Sequence, residues 1–345
     1  MIRASWPSEE LEDVRVCPAC GGTRRTPLYA GLRDRPLRAP GEWSLQRCGA
    51  CQSAYLDPRP TESSVMRAYA NYDTHARPGP PREEAGAVRA VWVRLRHGYL
   101  NHLWGYALQP ASPAGRFLVP MLPNARRLDE AIRRLSFPGP GARLLDVGCG
   151  NGGFVMFMSR LGWDSEGLDP DVEAVAAARA AGVKARVGTA GDMTEQDGVF
   201  DAVTLNHVIE HIHDPAGALA RVRQRLKPGG VVWVATPNVA APGHRMFGRD
   251  WFGLDPPRHL SLLSPKGLSE LMRASGFARM RYERPTARID AIVIRGSHAL
   301  ATGRDSVHDV RPLPTAVRLR YRLAQRAALT RAESGEELVV MAEPS

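Results

Sequence analysis

Lysine is nearly missing from this chain of 345 residues. Only Lys184, Lys227 and Lys266 occur, so arginine supplies almost all of the 46 basic side chains behind a formal charge of +10. The arginines are scattered through an Ala-, Gly- and Pro-rich chain and form no basic tail. That pattern reflects GC-rich coding and argues against a nucleic-acid binder, although an acidic or phosphate-bearing substrate stays compatible with it. No apolar run approaches the roughly 18 residues needed to span a bilayer. The opening MIRASWPSEELEDV carries acids and lacks the apolar core of a signal peptide, so a cytoplasmic protein is expected. With 43% hydrophobic and 24% charged residues, the chain has the composition of a globular protein with a sizeable core.

Cysteine is also sparse, and four of the five fall in two CxxC pairs, Cys17-Pro-Ala-Cys20 and Cys48-Gly-Ala-Cys51. In a reducing compartment this spacing favours tetrahedral zinc over disulfides. Gly21, Gly22 and Gly49 would let each knuckle turn. Four thiolates leave no open coordination position, so the metal would be structural. Residues 1–60 are thus expected to form a zinc ribbon and residues 61–137 a helical connector. The connector should hold a short helix from Thr61, a break at Arg77–Glu84 and a longer helix. In that helix Val88, Val91, Trp92, Leu95, Tyr99, Leu103 and Tyr106 recur at three- and four-residue steps. A short helix is expected near Leu128–Leu135.

From residue 138 to 345 short apolar runs alternate with helical patterns. This predicts an α/β fold, with a parallel sheet covered on both faces and a helical insertion at about 286–335. LKPGG, Leu226 to Gly230, is expected to stop a helix at Pro228 and turn through Gly229-Gly230 into the fifth strand.

LLDVGCGNGG, Leu144 to Gly153, lies between the first strand and first helix of that region. Gly148, Gly150 and Gly153 satisfy the dinucleotide fingerprint G-x-G-x-x-G, with Asp169 ending the next strand. Asp146, Gly148, Gly150 and Gly152 equally spell D-x-G-x-G-x-G, a loop that passes close to an adenosyl-methionine. The glycines alone leave both open. NHVIEHIHDP, Asn206 to Pro215, contains His207-Val208-Ile209-Glu210-His211, which is literally the H-x-x-E-H zinc-peptidase string.

The order LLDVGCGNGGF, EGLDPD, GTAGDM, FDAVTLNHVIEHIHDP, RLKPGGVVWVATPN and PPRHLSLLSPKGL resembles the class I S-adenosylmethionine-dependent methyltransferases, over most of Arg143 to Phe277. The likeness is strongest to the small-molecule branch that includes ubiquinone-pathway O-methyltransferases. It implies a Rossmann-like seven-stranded sheet, with the ribbon and helices added to it. It also implies a cofactor set of Asp146, Gly148, Gly150, Asn151, Gly152, Asp169, Pro170, Asp192, Met193 and Asn206. Within that set, Asp146 would face the cofactor's ammonium, Asp169 its ribose hydroxyls and Asp192 its adenine amine.

Under this resemblance the peptidase string is a coincidence of spelling, and its polar side chains become candidates for catalysis. His207 is a candidate base for the acceptor's proton. Glu210 and His211 are candidates for a divalent cation of the kind some ubiquinone-pathway relatives use. His259 is a second candidate base, beside Arg258, which could meet a substrate anion. Cys149 is expected to fill space within the glycine loop.

The expected activity is methyl transfer to a small molecule: a sugar, a lipid-linked or secondary-metabolite intermediate, or a quinone-like phenol, at oxygen or carbon. The N-terminal module also resembles that of sugar C-methyltransferases. The alternatives are a ribbon-assisted RNA methyltransferase, disfavoured by the lack of an Asn/Asp-Pro-Pro-Tyr string, and a non-catalytic protein retaining the cofactor fold.

Overall fold

Apolar runs become strands and three- to four-residue periodicity becomes helices, in the expected order, across the computed structural model. It describes residues 5–70, 86–122, 125–284, 287–304, 311–327 and 331–345. The amino-terminal part holds β1 (Leu11–Glu12), β2 (Arg25–Leu32), β3 (Trp43–Cys48), β4 (Ala54–Leu56) and β5 (Arg59–Pro60). It is followed by α1 (Ala87–Trp104), α2 (Gly115–Leu118) and α3 (Ala125–Ala131). Strands and helices then alternate through β6 (Arg143–Val147), α4 (Gly153–Arg160), β7 (Asp164–Asp169), α5 (Val172–Ala180), β8 (Ala185–Val187), β9 (Phe200–Asn206), α6 (Pro215–Gln224) and β10 (Leu226–Pro237). The chain continues through α7 (Pro242–Phe247), β11 (Ser261–Leu262), α8 (Pro265–Ala274), β12 (Phe277–Glu283), α9 (Ala287–Ala301), α10 (Thr315–Ala324) and β13 (Glu337–Pro344).

Seven strands form one sheet in the order β12-β13-β10-β9-β6-β7-β8. Within it β6, β7 and β8 pair in parallel, and β12 runs antiparallel to β13. The sheet is that of an α/β fold, as the alternation led us to expect, with β12 as an antiparallel edge strand. Among the described residues, no helix is long and apolar enough to cross a membrane. Contacts divide the chain into two units, one of Met1–Asp73, Leu205–Arg223 and Val234–Ser345, the other of Thr74–Thr204 and Gln224–Trp233.

In the first unit the CxxC strands are not a free-standing module. Strand β11 pairs antiparallel with β4, Ser261 opposite Tyr55 and Leu262 opposite Ala54, so the small sheet runs β11-β4-β3-β2. Its buried face packs Trp6, Trp43, Leu45 and Leu56 with Val239, Trp251, Leu254 and Leu260. Ser264 caps α8 by accepting from Gly267 N at 2.9 Å, and its hydroxyl donates to the Cys51 carbonyl at 2.5 Å. The LKPGG segment differs from expectation. Helix α6 ends at Gln224, and Leu226 to Gly230 already belong to β10, with Gly229 at φ +75°.

In the second unit the helical stripe is only partly core. Tyr99, Leu100 and Tyr106 are buried, whereas Val88, Val91 and Leu103 face solvent. From Arg94 onward α1 has a close neighbour, Ser112 N donating to the Arg94 carbonyl at 2.8 Å. A Cβ on Gly98 would stand 1.8 Å from Ser112 O, and one on Gly115 would stand 1.9 Å from Leu95 O. The helix ends at Gly105 in the left-handed region. Where a short helix was expected from Thr61, the described residues form a 3₁₀ turn, Val65–Tyr69, and the expected break at Arg77–Glu84 lies outside the described residues. Helix α3 starts earlier than expected, and Arg133 and Arg134, both at positive φ, follow its end.

A Cβ added at Gly267 would meet Ser53 Oγ at 2.0 Å, within the contact that joins α8 to the second cysteine knuckle. Gly267→Ala is therefore expected to lower the unfolding free energy by about 1–3 kcal/mol, read from the urea midpoint at constant slope.

Candidate functional site

Strand β6 buries Leu144, Leu145 and Val147 and delivers the chain to three glycines with positive φ, Gly148, Gly150 and Gly152. Two of them have different surroundings. A Cβ on Gly152 would press on Ala178 and Val183 at 3.0 Å, so that glycine serves packing against α5. A Cβ on Gly150 would project into open space, which leaves a cradle clear for a ligand. Asn151 Oδ1 accepts from Gly153 N at 3.2 Å and covers the start of α4. Cys149 is a buried free thiol, pushed up to about 12 mainly by burial, and it fills the space that a side chain at Gly167 would need.

Asp169 ends β7 and is 8% exposed. Its Oδ2 accepts from Gly150 N at 2.7 Å and its Oδ1 from Asp171 N at 2.9 Å. The acid and the glycine loop are thus one hydrogen-bonded unit, and each oxygen keeps a further lone pair. Burial raises the Asp169 carboxyl, against those two backbone donors. Pro170 follows it on the surface, and Asp171 caps α5 by accepting from Glu173 N and Ala174 N.

Asp192 closes a 3₁₀ turn, its Oδ2 accepting from Thr189 N at 2.7 Å and Thr189 Oγ1 at 2.8 Å, which lowers its carboxyl. Met193 beside it is buried. Asp146 holds a partner that its motif does not announce. Arg133 Nη1 donates to Asp146 Oδ1 and, at 2.6 Å, to Thr204 Oγ1. The guanidinium also lies 3.5 Å from the centre of the Phe154 ring. Nothing in the local sequence distinguishes Arg133 from the other arginines around it. Its placement depends on the left-handed turn after α3.

The four ribbon cysteines, in the first unit, converge. Cys17 and Cys51 sulfurs stand 3.7 Å apart, Cys20 and Cys48 sulfurs 3.6 Å apart, and all four sulfurs lie within 4.8 Å of one another. A tetrahedron with Zn–S near 2.3 Å has edges of about 3.8 Å, so the donor set fits structural zinc. The first knuckle turns at Gly21, φ +69°, as its sequence suggests. In the second the left-handed residue is Gln52, φ +66°, and not Gly49.

The H-x-x-E-H string, also in the first unit, is not a metal-binding helix. Asn206 ends β9 exposed, His207 has φ +54°, and Ile209–His211 is a single 3₁₀ turn. His207 is held between two carboxylates, Nδ1 3.2 Å from Glu210 Oε1 and Nε2 3.2 Å from Glu337 Oε2. Both nitrogens therefore donate. Burial opposes the cation, yet the bonds to the two glutamates prevail and raise His207 to about 10. Glu210 has no solvent exposure. Burial would raise it, but His207 holds it at about 2. An imidazolium locked in this way is unsuited to be the base that the sequence suggested.

His211 is the opposite case, lowered to about 4 by burial and then by His259. Its Nδ1 lies 2.9 Å from the Arg258 carbonyl oxygen and 2.9 Å from the Tyr69 hydroxyl. His259 Nδ1 lies 2.9 Å from the Gly253 carbonyl. A carbonyl only accepts, so both Nδ1 atoms carry protons, and in the neutral ring it is Nε2 that offers a lone pair. His259 Nε2 is 4.0 Å from Glu210 Oε1, and the two imidazoles meet edge-on at 4.8 Å. Glu210 Oε2 is buried without a hydrogen-bond partner among the described residues. Glu210, His211 and His259 bring one donor atom each within 4.8 Å of the others.

Arg258, a candidate to meet a substrate anion, is fully buried and committed to Asp34, Asp255 and the Ala68 carbonyl. Sequence reasoning missed Glu337, Tyr69 and Arg133. The first two lie far from the motif in the chain.

The family model described as "Methyltransferase domain" matches residues 123–280. The ubiquinone biosynthesis O-methyltransferase of Cereibacter sphaeroides is 33% identical over 187 residues, covering 48% of this chain and 76% of that protein. The protein of the same description from Xanthomonas campestris pv. campestris (strain B100) is 38% identical over 122 residues, covering 33% of this chain and 50% of that relative. The chain thus spans about half the length of the Xanthomonas relatives it matches. Among solved structures, Haemonchus contortus phosphoethanolamine N-methyltransferase 2 aligns with a TM-score of 0.45 at 18% identity, over 85% of this chain and 63% of that one.

Replacing His207 with Gln would leave two buried carboxylates facing each other without the cation. The expected loss is about 3–5 kcal/mol in urea unfolding at neutral pH. Cys48→Ser is expected to remove zinc from the purified protein, measured as metal per chain, and to lower its melting temperature.

Proposed function

The chain belongs to the class I S-adenosylmethionine-dependent methyltransferases, and we propose that it transfers a methyl group to an oxygen of a small-molecule acceptor. The observation that carries this reading is the Gly150–Asp169 unit, a glycine cradle left open and tied to the acid that ends β7. Asp169 would accept from the ribose hydroxyls through its remaining lone pairs, and Asn151 and Pro170 would flank it. Asp192 would offer the adenine amine its Oδ1, since its Oδ2 closes the turn at Thr189. At the amino-acid end, Asp146 would answer the ammonium and Arg133 the carboxylate, a division that the ion pair between them supports. The cofactor supplies a methyl group already activated on a sulfonium. What falls to the protein is alignment, exclusion of water and removal of the acceptor's proton.

For that last task Glu210, His211 and His259 would hold a divalent cation, whose chemistry when bound would be to lower the pKa of an acceptor hydroxyl. His207 and Glu337 hold the glutamate in place. Two imidazoles with lone pairs fixed by backbone carbonyls, beside a buried carboxylate oxygen lacking a partner, form a donor set that suits such an ion. The acceptor class follows the printed description of the relatives, which are O-methyltransferases of ubiquinone biosynthesis.

The purified chain should be incubated with methyl-labelled S-adenosylmethionine and fractionated extract of its source. Label is expected in small-molecule or lipid fractions; label in RNA or protein would overturn the acceptor class. Asp169→Ala removes two hydrogen bonds to a charged group, each worth about 1.5–3 kcal/mol, and should weaken cofactor binding in calorimetry at least roughly tenfold. Unchanged affinity would refute the cofactor assignment. Metal analysis of His259→Gln should show loss of a divalent cation while the cysteine-bound zinc is retained.

A further inference from the structure

The helical segment of the second unit carries a surface that neither the cofactor cradle nor the histidine cluster uses. Residues 85–128 contain six arginines and no aspartate or glutamate. The first acid beyond them, Asp129, is already taken, accepting from the Tyr99 hydroxyl at 2.9 Å and from Trp104 Nε1 at 2.8 Å. Within this acid-free stretch, large apolar side chains point outward. Met121 is 81% exposed, Phe117 62%, Leu118 48% and Leu122 43%, four of six consecutive positions. Val88, 86% exposed, and Val91 add to them from the start of α1.

The exposure does not come from a loose backbone. Gly115 and Val119 are buried between these side chains, and Gly98 and Gly115 allow α1 and the Ser112–Gly115 turn to approach within a carbonyl's reach. The packed side of the segment is therefore fixed, and its apolar side is left outside. Arg116 lies over the Phe117 ring at 4.5 Å, and Arg94 and Arg127 are also exposed.

We propose that this face docks on an anionic phospholipid surface, with Phe117, Leu118, Met121 and Leu122 entering the headgroup region and the arginines meeting the phosphates. Isolated apolar side chains on a surface are ordinary, but a consecutive set exposed on a segment that carries arginines and no acids has the composition of an interfacial element. Charge decides between occupants. A second copy would bring the same arginine-rich segment, itself without acids, against this one, and like charges would repel. Nucleic acid would satisfy the arginines but would leave the aliphatic side chains without a matching surface, since Phe117 is the one aromatic ring among those four side chains.

The test is co-sedimentation of the full zinc-bound chain with phosphatidylcholine vesicles, with and without about one-third phosphatidylglycerol. Binding is expected on the anionic vesicles, weakened by added salt, and close to background on phosphatidylcholine alone. The double variant Phe117→Glu/Met121→Glu should lower the partition coefficient at least about tenfold. Because those side chains are exposed, its thermal midpoint should match the wild type. Arg94→Glu, on α1 and outside the four apolar positions, tests the electrostatic half separately and should flatten the salt dependence. Three results would overturn the proposal. One is absence of partition by the wild type, and another is equal partition by all three proteins. The third is a wild-type dimer that becomes monomeric in the double variant without vesicle binding, which would make this face an interface between copies. No methyl transfer is needed for any of these readouts.

Discussion

A guanidinium sealed from solvent organises the first unit. Arg258 is held by Asp34 at 2.8 Å, by both oxygens of Asp255, and by the carbonyl of Ala68 at 2.9 Å. Those partners come from the ribbon, from the turn that follows it, and from the loop ahead of β11. A buried cation with one partner removed is costly, so all three segments must keep their places together. The consequence reaches the histidines. The Arg258 carbonyl fixes the proton of His211, Tyr69 follows the Ala68 that Arg258 binds, and His259 is the next residue in the chain. The arginine that resembled a substrate anchor instead sets the geometry around the candidate cation site.

The same economy of charge separates the two histidines of the H-x-x-E-H string. His207 and His211 are four residues apart, yet one is held as a cation between Glu210 and Glu337, and the other is held neutral by burial. Their difference lies wholly in what the fold brings to each. In the second unit the division of labour is between backbone and side chains. Glycines in left-handed conformations shape the cofactor loop, and Asp169 locks to it through Gly150 N, while Asp146 is neutralised by Arg133 from outside the motif.

Much of this was legible in the sequence, for physical reasons that act locally. The CxxC spacing brings sulfurs to a tetrahedral edge whatever surrounds them. The alternation of apolar runs from Arg143 gave the strand and helix order, because burial on both faces demands continuous apolar strands. Less legible was α1. Its apolar stripe satisfies helical periodicity, but periodicity does not say whether a partner covers the stripe, and Val88, Val91 and Leu103 proved to be exposed. The turn at Gln52 was equally hidden, since a left-handed residue need not be glycine when the knuckle around it is fixed by sulfurs and backbone bonds.

By itself, the sequence determined the family, the alternation of strands and helices, the glycine cradle with its acid, and the four-thiol metal site. All of these depend on residues close together in the chain or on repeating patterns. Tertiary structure alone decided which charges meet: Arg133 with Asp146, Glu337 with His207, Asp34 with Arg258, and His259 with His211 and Glu210. Most of these partners are separated by tens or hundreds of residues. Protonation depends on burial and on the nearest opposite charge, and both exist only once the chain has closed around them.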